Sequence, residues 1–153
     1  MKPHVIVTAC DQNCGDFLIE HWLRSLRASV RLDDIDILVL DYGLNHRQRS
    51  LLDGAAVRRI EGSREGFVNN TRFRDLALAM AGSGYDQALL IDSGDIIFQD
   101  DISHLFEQNK DTFRAVTEQR YTAQYEFFIS TGDFHTPDYK RMVKDLSGKR
   151  IVN

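Results

Sequence analysis

Ala88-Leu89-Leu90-Ile91-Asp92-Ser93-Gly94-Asp95 decides how this chain is read: four apolar residues run directly into two carboxylates separated by a serine and a glycine. A short apolar run without alternation predicts a strand covered on both faces, hence a central strand of a parallel sheet. Polar residues that follow at once stand at the carboxyl end of that strand, where open α/β sheets bind their ligands. Asp92 and Asp95 can there offer oxygen ligands to a hard divalent ion. An ion so held can bridge two phosphates and stabilise a diphosphate leaving group. The same residues also fit an acidic turn that merely closes a strand, because Asp and Gly are standard turn residues.

Outward from this stretch, strand and helix patterns alternate. Val5-Ile6-Val7-Thr8-Ala9 is a short apolar, β-branched run that predicts a buried strand. A helix is expected from Asp16 to Ser29, where Leu18, Trp22 and Leu26 recur every four residues. Ile35 to Leu40 predicts the second strand, broken by Asp41-Tyr42-Gly43, and Asn45 is placed to cap a short helix through Leu52. Ala56 to Ile60 is a weaker strand, and Thr71 to Ala81 a helix stopped by Gly82-Ser83-Gly84. Downstream, Ser103 is expected to cap a short helix containing Leu105 and Phe106, with Asp100 and Asp101 as its leading charges. Phe113 to Thr117 predicts a further strand, followed by an aromatic loop (Tyr121, Tyr125, Phe127, Phe128) and a helix from Pro137 to Leu146.

This order predicts an α/β fold: a mainly parallel sheet flanked by helices, as one domain over residues 1–153. Besides the Asp92–Asp95 turn, Asp11 and Asp41 follow predicted strands and share the ligand-binding edge.

Composition excludes several classes. The 153 residues, 42% hydrophobic and 27% charged, suit one globular core. A net charge of −4 gives no electrostatic reason to expect nucleic acid or an anionic membrane surface as partner. No apolar run approaches the roughly 20 residues that span a bilayer. Met1-Lys2-Pro3-His4 leads straight into a strand, so the cytoplasm is the expected compartment. Cys10 and Cys14 are not spaced as CxxC and have no zinc-finger companions, which makes them small residues in a reducing compartment. A P-loop, a GxGxxG dinucleotide fingerprint and a GxSxG elbow are all absent.

The stretch from Arg74 through Asp92-Ser93-Gly94-Asp95-Ile96-Ile97-Phe98 to Asp101-Ile102-Ser103-His104-Leu105-Phe106 resembles glycosyltransferases of the GT-A fold, particularly family 8. That family shows an arginine-bearing helix, an apolar strand, a DxD motif, an apolar triplet, and an aspartate before a short Leu-Phe helix. Val5 to Cys14 is similar to its first strand and the acidic, asparagine-bearing loop behind it. Ile37 to Leu44 with Arg47-Gln48-Arg49 is similar to its second strand and following helix.

The resemblance implies a Rossmann-like GT-A fold and transfer of a hexosyl group from a nucleotide-diphosphate sugar, a UDP-sugar, to a glycan or protein acceptor. It implies Thr8, Ala9, Asp11, Asn13, Arg74 and Ser93 as nucleotide-sugar-binding residues. Asp92 and Asp95 would hold Mn²⁺ or Mg²⁺. Read without the resemblance, Asn13 is equally a helix-entry residue and Arg74 a solvated helix position. The motif here is DxxD, one residue longer than DxD, and Gly94 gives the turn freedom to absorb the extra residue. Gly148 to Asn153 resembles the approach to the family's acceptor-side motif, so a chain that stops before a late metal-binding histidine is expected. Such a chain would leave apolar surface open to self-association as a homo-oligomer.

Three other readings stand beside this one. A module could bind nucleotide and metal without transferring sugar. A receiver-like regulatory domain would use Asp11, Asp41 and Asp92, but needs a lysine where Glu118-Gln119-Arg120 stands. A sugar nucleotidyltransferase would need a glycine-rich basic loop, which Cys10 to Asp16 does not supply.

Overall fold

The two most apolar, β-branched segments of the chain form the buried middle of a parallel sheet. In the computed structural model, which describes residues 1–63, 65, 66, 68–121, 141 and 150–152, β1 (His4–Cys10) pairs with β2 (Ile35–Asp41) along its whole length. β3 (Arg58–Glu61) lies beyond β2, and β4 (Gln87–Leu90) pairs with the other side of β1. The order is β3-β2-β1-β4, all parallel, as the alternation of elements predicts.

Successive side chains of a strand point to opposite faces, so β1 and β2 feed two cores. Ile6, Cys10, Ile37 and Val39 pack with Trp22, Leu26, Leu52 and Phe98 on one face. Val5, Val7, Leu38 and Leu40 pack on the other, against Leu76, Ala79 and Met80 of α4 (Val68–Met80).

The helix expected from Asp16 to Ser29 forms in three parts: α1 (Gly15–Phe17), a π-helical turn (Leu18–Trp22) and α2 (Leu23–Ser29). Leu18, Trp22 and Leu26 are all completely buried. Positions four apart drift by about 40° per step around an ideal α-helix, and a wider π turn takes up that drift. α3 (His46–Gly54) starts at Asn45, as predicted. The Asn45 side chain accepts from Gln48 N (3.0 Å) and Gln48 Oε1 accepts from Asn45 N (3.0 Å), a reciprocal capping box. Gln48 is buried against Gly15, where a Cβ would lie 2.4 Å from Gln48 Cδ.

Three expectations are corrected. Among the described residues β4 is an edge strand, not a central one, with Ala88 exposed and Leu89 and Leu90 half-buried. The central places go to β1 and β2, whose side chains have apolar neighbours on both faces. Ser103 does not cap the short helix, a 3₁₀ turn at Ser103–Glu107: the N-cap is Ile102, and Asp101 before it accepts from Ser103 N (2.9 Å) and Ser103 Oγ (3.0 Å). The Ser103 N–H and the Arg31 guanidinium hold the Asp101 carboxyl well below the usual carboxylate range. Finally, Phe113 and Val116 are exposed, and the strand expected there begins only at Thr117, as β5 (Thr117–Tyr121).

The chain divides into two compact units, Met1–Lys110 and Asp111–Asn153, where the sequence reading has one domain over residues 1–153. The first holds the four-stranded sheet; in the second, β5 pairs antiparallel with β6 (Arg150–Val152). Tyr125, Phe127 and Phe128 lie outside the described residues, as does the predicted Pro137–Leu146 helix apart from Arg141, which is helical. Among the described residues no helix is long and apolar enough to cross a membrane.

Candidate functional site

The chain adds β2 and then β3 on one side of β1, and places β4 on the other. The carboxyl ends of β1 and β4 therefore flank the point where the sheet's winding reverses, the place at which open α/β sheets form a ligand crevice. Asp11 follows β1 and the Asp92-Ser93-Gly94-Asp95 turn follows β4.

That turn is anchored from below. Ser93 is buried and its Oγ donates to the Ala9 carbonyl of β1 (2.9 Å). Trp22 Nε1 donates to the Asp92 carbonyl (2.9 Å). Farther along, Phe98 stands edge-on to the Trp22 ring at 5.3 Å, its N–H donates to Ser25 Oγ (3.1 Å), and its carbonyl accepts from Ser29 Oγ (3.1 Å). One helical face, Trp22, Ser25 and Ser29, thus holds residues 92–98 at both ends. A Cβ on Gly94 would lie 3.3 Å from Cys14 Sγ, so the loop after β1 and the loop after β4 touch.

The loop after β1 closes on itself. Asp11 Oδ1 accepts from Asn13 N (2.9 Å) and Cys14 N (3.3 Å), and Oδ2 accepts from Asn13 Nδ2 (2.9 Å). Asp11 and Asn13 together shape the entry to α1, just beyond the carboxyl end of β1. Cys10, beneath them, is buried, and burial pushes its thiol up to about 12.

The other sequence-predicted residues fall as follows. Thr8 is completely buried within β1 and presents no face to a ligand. Ala9 enters through its carbonyl, already engaged by Ser93. Asp92 is partly exposed and ion-paired with Arg72, and Asp95 is exposed. Arg74 points elsewhere: its Nε lies 3.3 Å from Asp75 Oδ1. Arg72, not singled out from the sequence, is the arginine of α4 that reaches Asp92: it precedes Leu76 by one helical turn and shares the sheet-facing side of α4 with Leu76, Ala79 and Met80. Arg74 lies off that side.

Asp41 occupies the equivalent strand-end position on β2 but belongs to a structural clamp. It is 2% exposed and its carboxylate accepts from Gly43 N (2.9 Å) and Leu44 N (2.7 Å). Arg49 and Arg59 pair with it at 2.8 and 3.1 Å. Burial alone would raise its pKa; the Leu44 and Gly43 N–H groups and Arg49 outweigh that and lower it.

Among the described residues no group of three or more His, Cys, Asp or Glu side chains gathers to hold a metal. Two carboxylates on one anchored turn still suit Mg²⁺ or Mn²⁺, which commonly binds through one or two carboxylates and takes its remaining ligands from substrate phosphates and water. Asp92 is ion-paired here with the Arg72 guanidinium, and its side chain remains 44% exposed.

A four-stranded parallel sheet with helices on its faces and an acidic turn at its switch point is the arrangement of GT-A fold glycosyltransferases, and the chain resembles them. The galactosyltransferase LgtC, solved in complex with donor and acceptor sugar analogues, matches with a TM-score of 0.55 at 25% identity. An active-site mutant of LgtC matches equally, at TM-score 0.55 and 25% identity. Each alignment covers 69% of this chain and 42% of LgtC, so the chain spans less than half the length of these structures. No protein-family model and no curated protein sequence matches the chain.

Proposed function

We propose that this chain carries the donor-binding part of a glycosyltransferase that takes a hexosyl group from a UDP-sugar and passes it to a glycan or protein acceptor. The observation that carries the reading is the Asp92-Ser93-Gly94-Asp95 turn at the sheet's switch point, held to β1 through Ser93 and to the neighbouring helix through Trp22. The likeness to LgtC supports it.

Asp92 and Asp95 are the residues that would hold Mn²⁺ or Mg²⁺, and such an ion supplies Lewis-acid stabilisation of the leaving diphosphate. The protein's own part is positioning. The buried Ser93–Ala9 and Trp22–Asp92 hydrogen bonds fix the turn's backbone, so the carboxylates meet the donor without reorganising. The Asp11–Asn13 loop rigidifies the rim on which the nucleoside would rest. Arg72 of α4 would add positive charge beside the donor's diphosphate.

Calorimetric titration of the full chain with UDP, in Mn²⁺ and in excess chelator, tests the reading. Binding should be at least tenfold tighter with Mn²⁺, and Asp92→Asn should remove that difference while leaving the folded circular dichroism intact. Equal binding in both conditions, or none in either, would refute it.

A further inference from the structure

We propose that Arg72 is a built-in counter-cation of Asp92: a divalent ion must displace it, and the diphosphate of the incoming ligand receives it. The inference rests on the metal-assisted reading above and adds to it a mobile residue and an order of events.

Arg72 reaches the acidic turn from the first turns of α4, and its Nη1 pairs with Asp92 Oδ1. The pairing is incomplete. A guanidinium carries five N–H donors in a fixed fork that favours two-point contact. Here the side chain is only 16% exposed, yet Nε is buried with no hydrogen-bond partner. A charged group taken out of water with an unmet donor is held mainly by its charge partner, with the Phe73 ring 5.2 Å from its centre as further support. Phosphate oxygens would meet the remaining donors in a way one carboxylate does not.

The Asp92 end of the pair is fixed. Its carbonyl is held by Trp22, and the next residue is tied to β1 through Ser93. When the pair opens, the flexible member is therefore the arginine, which needs only side-chain rotation. Asp92 keeps an open approach, its side chain 44% exposed. Two cations on one carboxylate repel each other, so Arg72 and a divalent ion exclude one another in the absence of ligand. A diphosphate would remove the conflict by accepting the guanidinium and bringing its own negative charge beside the acidic turn. Ion and nucleotide then raise each other's affinity reciprocally, through Arg72. Arg74 cannot play this part, being paired with Asp75 on the half-exposed side of the helix.

The test is binding of Mn²⁺ alone to the full chain, followed by the paramagnetic resonance of free Mn²⁺, then repeated with saturating UDP. Arg72→Gln and Arg72→Met remove the charge, whereas Arg72→Lys keeps it. Both neutral variants should bind Mn²⁺ alone about 5- to 150-fold tighter than the parent, the usual span of coupling between two sites. The gain in Mn²⁺ affinity produced by UDP should shrink by the same factor, and Arg72→Lys should stay near the parent on both counts. If the neutral variants match the parent for Mn²⁺ alone while Asp92→Asn abolishes binding, the metal site stands and the counter-cation does not. If no variant binds Mn²⁺ with or without UDP, both readings fall together.

Discussion

Cys10 and Cys14 sit four residues apart at the crevice and have opposite chemistry. Cys10 lies under the sheet edge, and burial, only partly offset by its contact with Ser93, pushes its thiol up to about 12; Cys14 is exposed at the entry to α1. The thiolate is the reactive form, so a buried thiol with a raised pKa is inert. Native chain treated with iodoacetamide at pH 8 should therefore gain one adduct, on Cys14, by intact mass and peptide mapping. Two adducts at equal rates would show that Cys10 is not shielded. Single residues also mark where sequence reading falls short. Arg72 and Arg74 are chemically identical two positions apart, and only the phase of α4 against the sheet brings one of them to Asp92. The place of Asp92 just beyond β4, which ends at Leu90, by contrast follows from the sequence, because an apolar run cannot continue through a charged turn.

Elements are joined by buried polar groups, and these set the response to pH. Asp41 links the end of β2 to the turn after it, to α3 through Arg49 and to β3 through Arg59. Its folded pKa is lowered, so it contributes stability above the unfolded carboxylate value, about 3.9, and loses it as pH falls through the folded value. Tyr42, hydrogen-bonded to Asp75 (2.7 Å), has the opposite sign: burial first and Asp75 second push it up to about 12. That contribution is complete below the unfolded tyrosine value of about 10 and fades as pH rises from there. The buried Cys10 thiol, also pushed up to about 12, has the same sign as Tyr42 and starts to fade above the unfolded thiol value of about 8.5. Urea midpoints should accordingly hold level between about pH 5 and 8 and fall outside that window. Asp41→Asn should cost about 2–3 kcal/mol at pH 7, the scale of lost hydrogen bonds to a charged group, and should flatten the acid arm. An unchanged acid arm in that variant would assign the effect to other carboxylates.

At the scale of the whole molecule, both apolar cores, the four parallel strands found among the described residues and the acidic turn lie within Met1–Lys110. A unit that holds the parallel sheet of the described residues and both of its cores has the makings of an independently folding domain. Residues 1–110 expressed alone should give a cooperative urea transition with helix and strand ellipticity, and the same Cys14-only labelling as the full chain. A non-cooperative transition would mean that residues 111–153 are needed to complete the fold. The likeness to LgtC covers 69% of the chain, and the GT-A arrangement it supports is built from this first unit's sheet order.

By itself the sequence determined the order and type of the elements around the sheet. Continuous apolar runs, the Asn45 capping box and the acidic break after Ile91 are local signals, and each acts through the backbone within a few residues. Tertiary structure alone decided which strand is central. β1, β2 and β4 are all apolar, and only the count of covered faces separates them. It also decided which arginine meets Asp92, since that depends on how α4 is rotated against the sheet. It assigned Asp41 to a clamp and left Asp92 partly exposed, although both close apolar runs, because arginines of α3 and β3 converge on Asp41. Such choices rest on contacts between residues far apart in the chain, and no local pattern records them.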